Sequence, residues 1–250
     1  MSNCKLYSND YIEWKEWDLN KFAIPEESEI AYFKAELLRA DVKFGKELSV
    51  LEIGFGNGAF LGFCTTMGWK VVGIEVNRDL IERGKAAGLN VYDSSEIGRL
   101  SKQSFDVVVA LDVIEHLQLS EQYELFNTVN GLLKTGGVFL ARFPNGDSTM
   151  GLRHQNGDET HVSQIGSLKA TMIAKKCGFA SPQIYGQAIP VREIGVIRSL
   201  VNQMRRLVLS ALDCLLMLIF HPRILVVYSS MNLVLVCKKS ISGSMNIPVK

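Results

Sequence analysis

Residues able to do chemistry fall at a few points of this 250-residue chain, and the densest is LSVLEIGFGNGAF, Leu48–Phe60. Leu48, Val50, Leu51 and Ile53 read as a short buried strand that stops at a glycine cluster, with Glu52 one residue before its end. Gly54, Gly56 and Gly58 alternate, and Ala59-Phe60-Leu61 open an apolar helical run. Such a corner binds nucleotide-like ligands. Glycine allows φ > 0 and lets a ligand lie against the backbone, while the helix start supplies N–H donors and partial positive charge. Four more polar residues close or follow apolar runs: Glu75, Asp93, Asp112 and Arg142. Glu75 is spaced to meet a ribose. His116 follows Asp112-Val113-Ile114-Glu115, and His161 ends a polar loop beside Asp158 and Glu159. A histidine next to carboxylates is suited to general-base work; His161 could instead anchor its own loop, and His116 could begin a helix and bridge to that loop.

The elements that carry these residues alternate. Lys70–Val76 reads as a buried strand, and Asn77–Ala87 as a helix with Asn77 as N-cap and Gly88 as stop. A short strand at Asn90–Tyr92 leads to Asp93, and Phe105–Leu111 is a continuous apolar strand. A helix over about Ser120–Leu133 is turned by Thr135-Gly136-Gly137 into a strand at Val138–Phe143. Strands alternating with helices predict a parallel sheet covered on both faces, with ligands at the carboxyl ends of the strands. Glu52, Glu75, Asp93, Asp112 and Arg142 all fall at those ends. The polar stretch Pro144–His161 has the length of a functional loop. Ser163–Cys177 reads as a helix, Ala180–Ile189 and Leu233–Cys237 as strands, and 240–250 as a flexible tail.

Residues 1–47 form a helical cover ahead of the main domain, 48–239. Tyr11, Trp14 and Trp17 recur at helical spacing, Pro25 breaks the run, and Glu26–Ala40 follows as a helix with Ile30, Phe33, Leu37 and Leu38 on one face. It is either an amphipathic cover packed on the core or a lid with an aromatic wall. Inside the main domain, 191–228 is a hydrophobic insertion. Arg198, Arg205 and Arg206 precede the apolar run Leu207–Phe220, which Asp213 interrupts, and His221-Pro222-Arg223 and ILVVY follow. The run is shorter than the roughly twenty residues that span a bilayer. It fits a helix lying on a membrane with arginines at the headgroups, or one packed on its own domain or on a second copy of the chain.

With 27 basic and 26 acidic residues the chain lacks the basic excess of a nucleic-acid binder. Its five cysteines include Cys64, Cys177, Cys214 and Cys237 in apolar company, which predicts reduced core thiols of a cytoplasmic protein. The start, MSNCKLYSND, has no apolar run of the signal-peptide kind.

Glu52-x-Gly54-x-Gly56-x-Gly58, then Glu75, Asp93 and Asp112-x-x-Glu115-His116 in this order, resemble the class I S-adenosylmethionine (SAM) methyltransferases, in the branch with a D-x-x-E-H segment that includes quinone and sugar methyltransferases. The glycines also satisfy the dinucleotide fingerprint, but a second mononucleotide half and a catalytic domain do not fit after them. The resemblance implies an α/β, Rossmann-like sheet of order 3-2-1-4-5-7-6 with strand 7 antiparallel. It sets Gly54, Gly56 and Gly58 against the methionine and ribose of SAM, with Glu52 facing the methionine end. Glu75 would bind the ribose hydroxyls, Asp93 the adenine amino group, and Asp112 would lie near the methionine. S-adenosylhomocysteine would be the product. Carboxylates suit a ligand that has no phosphate and carries a sulfonium and an ammonium.

The stretch ARFPNGDS…QNGDETHVS resembles bacterial methyltransferases associated with polysaccharide and O-antigen synthesis. That implies a sugar hydroxyl of a glycan or lipid-linked saccharide as acceptor. His161 and His116 are the candidate bases, and Arg142 and Asp158 candidate acceptor contacts. Arg142 would bind an acidic group or pair with Asp147. A metal held by Asp112, Asp147 and Asp158 is conceivable, but no spacing demands one. The alternative acceptor is a quinone or other phenol at the inner face of the cell membrane, reached through 191–228. A non-catalytic SAM-binding partner is the alternative of another class.

Overall fold

The computed structural model describes residues 9–191, 195–220 and 227–240. The tail from 241, His221-Pro222-Arg223 and most of ILVVY lie outside them, as does the side chain of Tyr11. Seven strands form one sheet: β1 Ser49–Ile53, β2 Lys70–Glu75, β3 Val91–Asp93, β4 Phe105–Leu111, β5 Leu133–Pro144, β6 Phe179–Gly186 and β7 Asn232–Lys239. Their order is β3-β2-β1-β4-β5-β7-β6, with β7 antiparallel to both neighbours, as the resemblance implies. The central strands are buried on both faces, which explains their unbroken Val/Ile/Leu runs.

The expected helices are α3 Ala59–Thr66, α4 Arg78–Ala86, α5 Leu119–Leu132 and α7 Ser167–Lys176. The Asn77 side chain accepts from the amides of Asp79 and Leu80, so the expected N-cap is in place. The expected turn at Thr135-Gly136-Gly137 breaks the register inside β5: Leu133 pairs with Phe105, but Val138 with Val107, and Gly136 takes φ 74°.

Several expectations need correction. In the N-terminal segment, α1 Asn9–Trp14 ends before Trp17, because Glu16 takes φ 53° and breaks the helical repeat. The next helix, α2 Glu27–Arg39, buries Phe33 and Leu37 but leaves Leu38 58% exposed. The stretch 144–161 is not all loop. It folds a turn at Thr149–Gly151 and a short helix, α6 Leu152–Gly157. Residues 160–166, assigned in part to the following helix, dock the loop instead, so α7 starts at Ser167.

The insertion forms a helix, α8 Val196–Phe220, that buries none of its residues. Ile197, Leu200, Met204, Leu207, Leu218 and Phe220 are all more than half exposed. Among the described residues, α8 therefore has no side chain packed into the core of its own domain. Asp213 ties it to the chain before β7 by accepting from the amides of Tyr228 and Ser229. Cys214, on α8, is exposed, unlike buried Cys64, Cys177 and Cys237, which corrects its reading as a core thiol. Among the described residues no helix is long and apolar enough to cross a membrane.

Candidate active site

The glycine corner is built by β1 and the turn into α3. Gly54, Gly56 and Gly58 have φ of 71°, 52° and 75°, the left-handed region that glycine adopts without strain. Glu75, at the end of β2, holds this turn. Its Oε2 accepts from Gly56 N at 3.0 Å and its Oε1 from Val76 N at 2.8 Å. Burial pushes the Glu75 carboxyl up, and the three amides of Gly56, Val76 and Asn77 pull it back. Glu52 lies inside, 3% exposed, with Oε2 unpartnered. Burial first, and then Glu75, push its carboxyl well above the usual range. Asp93 ends β3 as expected, where its Oδ1 accepts from Ser95 N and Oγ.

The chain's own N-terminal segment lies on this corner. A Cβ at Gly56 would come within 2.8 Å of Trp17 Cη2, and one at Gly58 within 3.2 Å of Phe22 Cζ. The carbonyl of Ala23 rests directly on Gly62, and Ala23 N donates to Asn57 O at 2.9 Å. Sequence reasoning singled out neither Gly62 nor Phe22. The GxxxG-like spacing of Gly58 and Gly62 was the available signal.

Across the sheet edge, Asp112 takes φ 58°, a strained setting for a residue with a Cβ. Arg142 holds it there by donating from Nε to Oδ1 at 2.9 Å and from Nη2 to Oδ2. Burial would raise the Asp112 carboxyl, but the Arg142 guanidinium outweighs it and holds it below the ordinary value. Arg142 also lies over the Tyr32 ring at 5.4 Å. The expected pairing with Asp147 is thus corrected. Asp147 Oδ2 accepts from Ser167 N at 2.7 Å, at the start of α7.

The two candidate histidines meet. A helical turn at Ile114–His116 follows β4, and Gln122 of α5 steadies it by donating to the carbonyls of Ile114 and Leu117. The amides of Val162 and Ser163 both donate to Glu115 O, at 3.0 and 2.9 Å, and bring the end of the polar loop onto this turn. The imidazoles of His116 and His161 then stand edge to face, with centroids 4.5 Å apart. His161 Nδ1 bonds Gln155 O at 3.1 Å, and His116 Nδ1 faces Thr160 O and Oγ1 at 3.2 and 2.9 Å. His161 Nε2 therefore turns its lone pair toward Glu115 Oε1 at 3.8 Å and Asp158 Oδ2 at 3.6 Å.

Asp158 itself accepts from Thr160 through Oδ1 and from Lys15 Nζ through Oδ2 at 3.2 Å. Burial lowers both imidazoles, that of His116 to about 4 with help from His161. Glu115 is fully buried, and burial, reinforced by the charge of Asp112, raises its carboxyl well above the usual range. Glu115 was visible in the motif, but only the fold shows its carboxyl beside His161. Neutral imidazoles beside a buried carboxyl can accept a proton or hold a cation.

The profile of a family described as a methyltransferase domain matches residues 26–181. The chain belongs to this methyltransferase domain family. No curated protein significantly matches its sequence. Among solved structures, this methyltransferase resembles a SAM-dependent methyltransferase from Archaeoglobus fulgidus with TM-score 0.61 and 23% identity, covering 84% of this chain and 94% of that one. A Thermotoga maritima protein described as a possible histamine N-methyltransferase gives 0.59 and 15%, over 94% and 99% of the two chains. Phosphoethanolamine N-methyltransferase 2 of Haemonchus contortus, solved with SAM, gives 0.52 and 18%, over 86% and 58%. At these identities the likeness is one of fold.

Proposed function

We infer that this SAM-dependent methyltransferase carries the methyl group to a hydroxyl oxygen of a bacterial glycan or lipid-linked saccharide. Transfer is an in-line displacement. A lone pair of the hydroxyl oxygen forms the O–CH3 bond, the S–CH3 bond breaks, and sulfur keeps the electron pair, leaving S-adenosylhomocysteine. The donor is already activated by its positive sulfur, so the enzyme must align the partners and remove the hydroxyl proton.

The observation that supports an oxygen acceptor is the meeting of His116, His161 and Glu115 on a polar loop at the carboxyl edge of the sheet. Acting alone, His161 Nε2 would take the proton. His161→Ala should then lower kcat by about 10²–10⁴-fold and leave SAM affinity nearly unchanged. Comparing glycans from cells with and without the protein by mass spectrometry tests the acceptor class: loss of a methyl ether supports it, and identical glycans refute it.

The second reading, a quinone or phenol taken at the inner membrane face, is favoured by the uncovered apolar surface of α8. Turnover of a soluble saccharide without vesicles would exclude it. A SAM-binding partner without catalysis would show no turnover with either acceptor.

A further inference from the structure

Glu115 is fully buried, and neither of its carboxylate oxygens has a hydrogen-bond partner among the described residues. Buried polar atoms are almost always satisfied, and an exception points to a water or an ion. A neighbouring imidazole bears on this orphaned carboxyl. His161 Nδ1 is committed to the Gln155 carbonyl, so Nε2 presents a lone pair to Glu115 Oε1, and the 3.8 Å between them is too long for a hydrogen bond. His116 is ordered in the same way by Thr160. One donor atom from each of Glu115, His116 and His161 lies within 4.8 Å of the other two. Two bonds of about 2.1 Å to one ion span up to about 4.2 Å. The Nε2–Oε1 pair already meets that limit, and small side-chain rotations would bring in the third.

We propose that Glu115, His116 and His161 bind a divalent transition-metal ion of the zinc, cobalt or manganese class. Two imidazoles and one carboxylate are the donor types such ions take. The second shell is present as well, since the Nδ1 of each ring meets the carbonyl of a neighbouring residue, which in His161 turns Nε2 toward Glu115. Asp158 stays outside the donor set, turned to Lys15 and Thr160. Three protein ligands leave positions for a further oxygen, and a hydroxyl bound there loses its proton more readily. This rests on the reading of the cluster as the acceptor's end of the site. In place of direct proton transfer to His161, the ion-bound hydroxyl gives its proton to solvent water. The oxygen it leaves negative takes the methyl group, while sulfur keeps the electron pair of the broken S–CH3 bond.

The test uses the full-length protein, treated with chelator and dialysed, with Zn²⁺, Co²⁺ and Mn²⁺ alone as probes. Calorimetry and the visible spectrum of Co²⁺ should show one equivalent bound with nitrogen and oxygen ligands. Glu115→Gln, His116→Gln and His161→Gln should each weaken binding at least tenfold, whereas His154→Gln and Cys214→Ser should not. Absence of binding by the wild type at millimolar metal overturns the proposal. So does binding that survives all three ligand variants, or a Co²⁺ spectrum of thiolate character lost with Cys214→Ser. SAM is titrated into the same samples. A variant that keeps SAM affinity is folded, and should Glu115→Gln fail to fold, the two histidine variants carry the comparison. A wild type that binds metal but not SAM would count against the methyltransferase reading alone.

Discussion

Lys15 Nζ lies 3.2 Å from Asp158 Oδ2, which joins the N-terminal segment to the polar loop across the candidate site. Lys15 is 25% exposed at its side chain and Asp158 only 4%, so the pair is partly shielded from water. Residues between Trp17 and Ala23 lie on the glycine corner just beyond it. Lys15→Met should loosen this clasp at a cost of about 1 kcal/mol or less. Hydrogen exchange of residues 17–25 should rise, and SAM should leave faster. Exchange unchanged from the wild type would show that the clasp restrains nothing.

Gly62 is where the cover touches the first helix of the sheet domain. The Ala23 carbonyl occupies the place of a side chain there, and Pro25 Cδ stands 3.1 Å from a Cβ built on Gly62. Gly62→Ala should force the segment outward and destabilise the protein by about 1–3 kcal/mol. Proteolysis between 17 and 25 should accelerate in the variant. A thermal midpoint and cleavage rate equal to wild type would mean that the contact is easily relieved.

Glu75 holds the glycine turn through the Gly56 amide and is the group expected to receive the ribose hydroxyls. Glu75→Ala should weaken SAM and S-adenosylhomocysteine by about 1–3 kcal/mol, with NAD bound by neither form. Calorimetry that found NAD tight and SAM absent in the wild type would overturn this.

The uncovered helix α8 should find its cover outside the domain. Arg205 and Arg206 precede its most apolar half, Leu207–Phe220. If a membrane surface covers it, the protein should sediment with anionic vesicles and less so at high salt. Arg205→Glu with Arg206→Glu should abolish sedimentation without altering SAM affinity. In a Cys4→Ser background, exposed Cys214 should react with maleimide in solution and be protected by vesicles. Protection at high protein concentration without vesicles would assign the face to a second copy instead.

The individual strands and the glycine corner were legible because their causes are local, whereas the order of the strands followed only from the family resemblance. A both-faces-buried strand must be apolar throughout, and a left-handed turn under a ligand must be glycine. So Phe105–Leu111 and the N-cap Asn77 could be read directly. The partners of Arg142, the position of Trp17 and the exposure of Leu38 and α8 could not. Each depends on which surface arrives opposite, and apolar periodicity marks a face without naming what covers it. His116 and His161 were each visible as candidate bases. Only folding, through two amides donated to the Glu115 carbonyl, brings residues far apart in the chain to ring contact, with a buried carboxylate beside one of the rings. The sequence determined the cofactor corner because adjacent residues build it; the tertiary structure decided the acceptor's end because a loop and a turn meet there only when the backbone hydrogen bonds between them form.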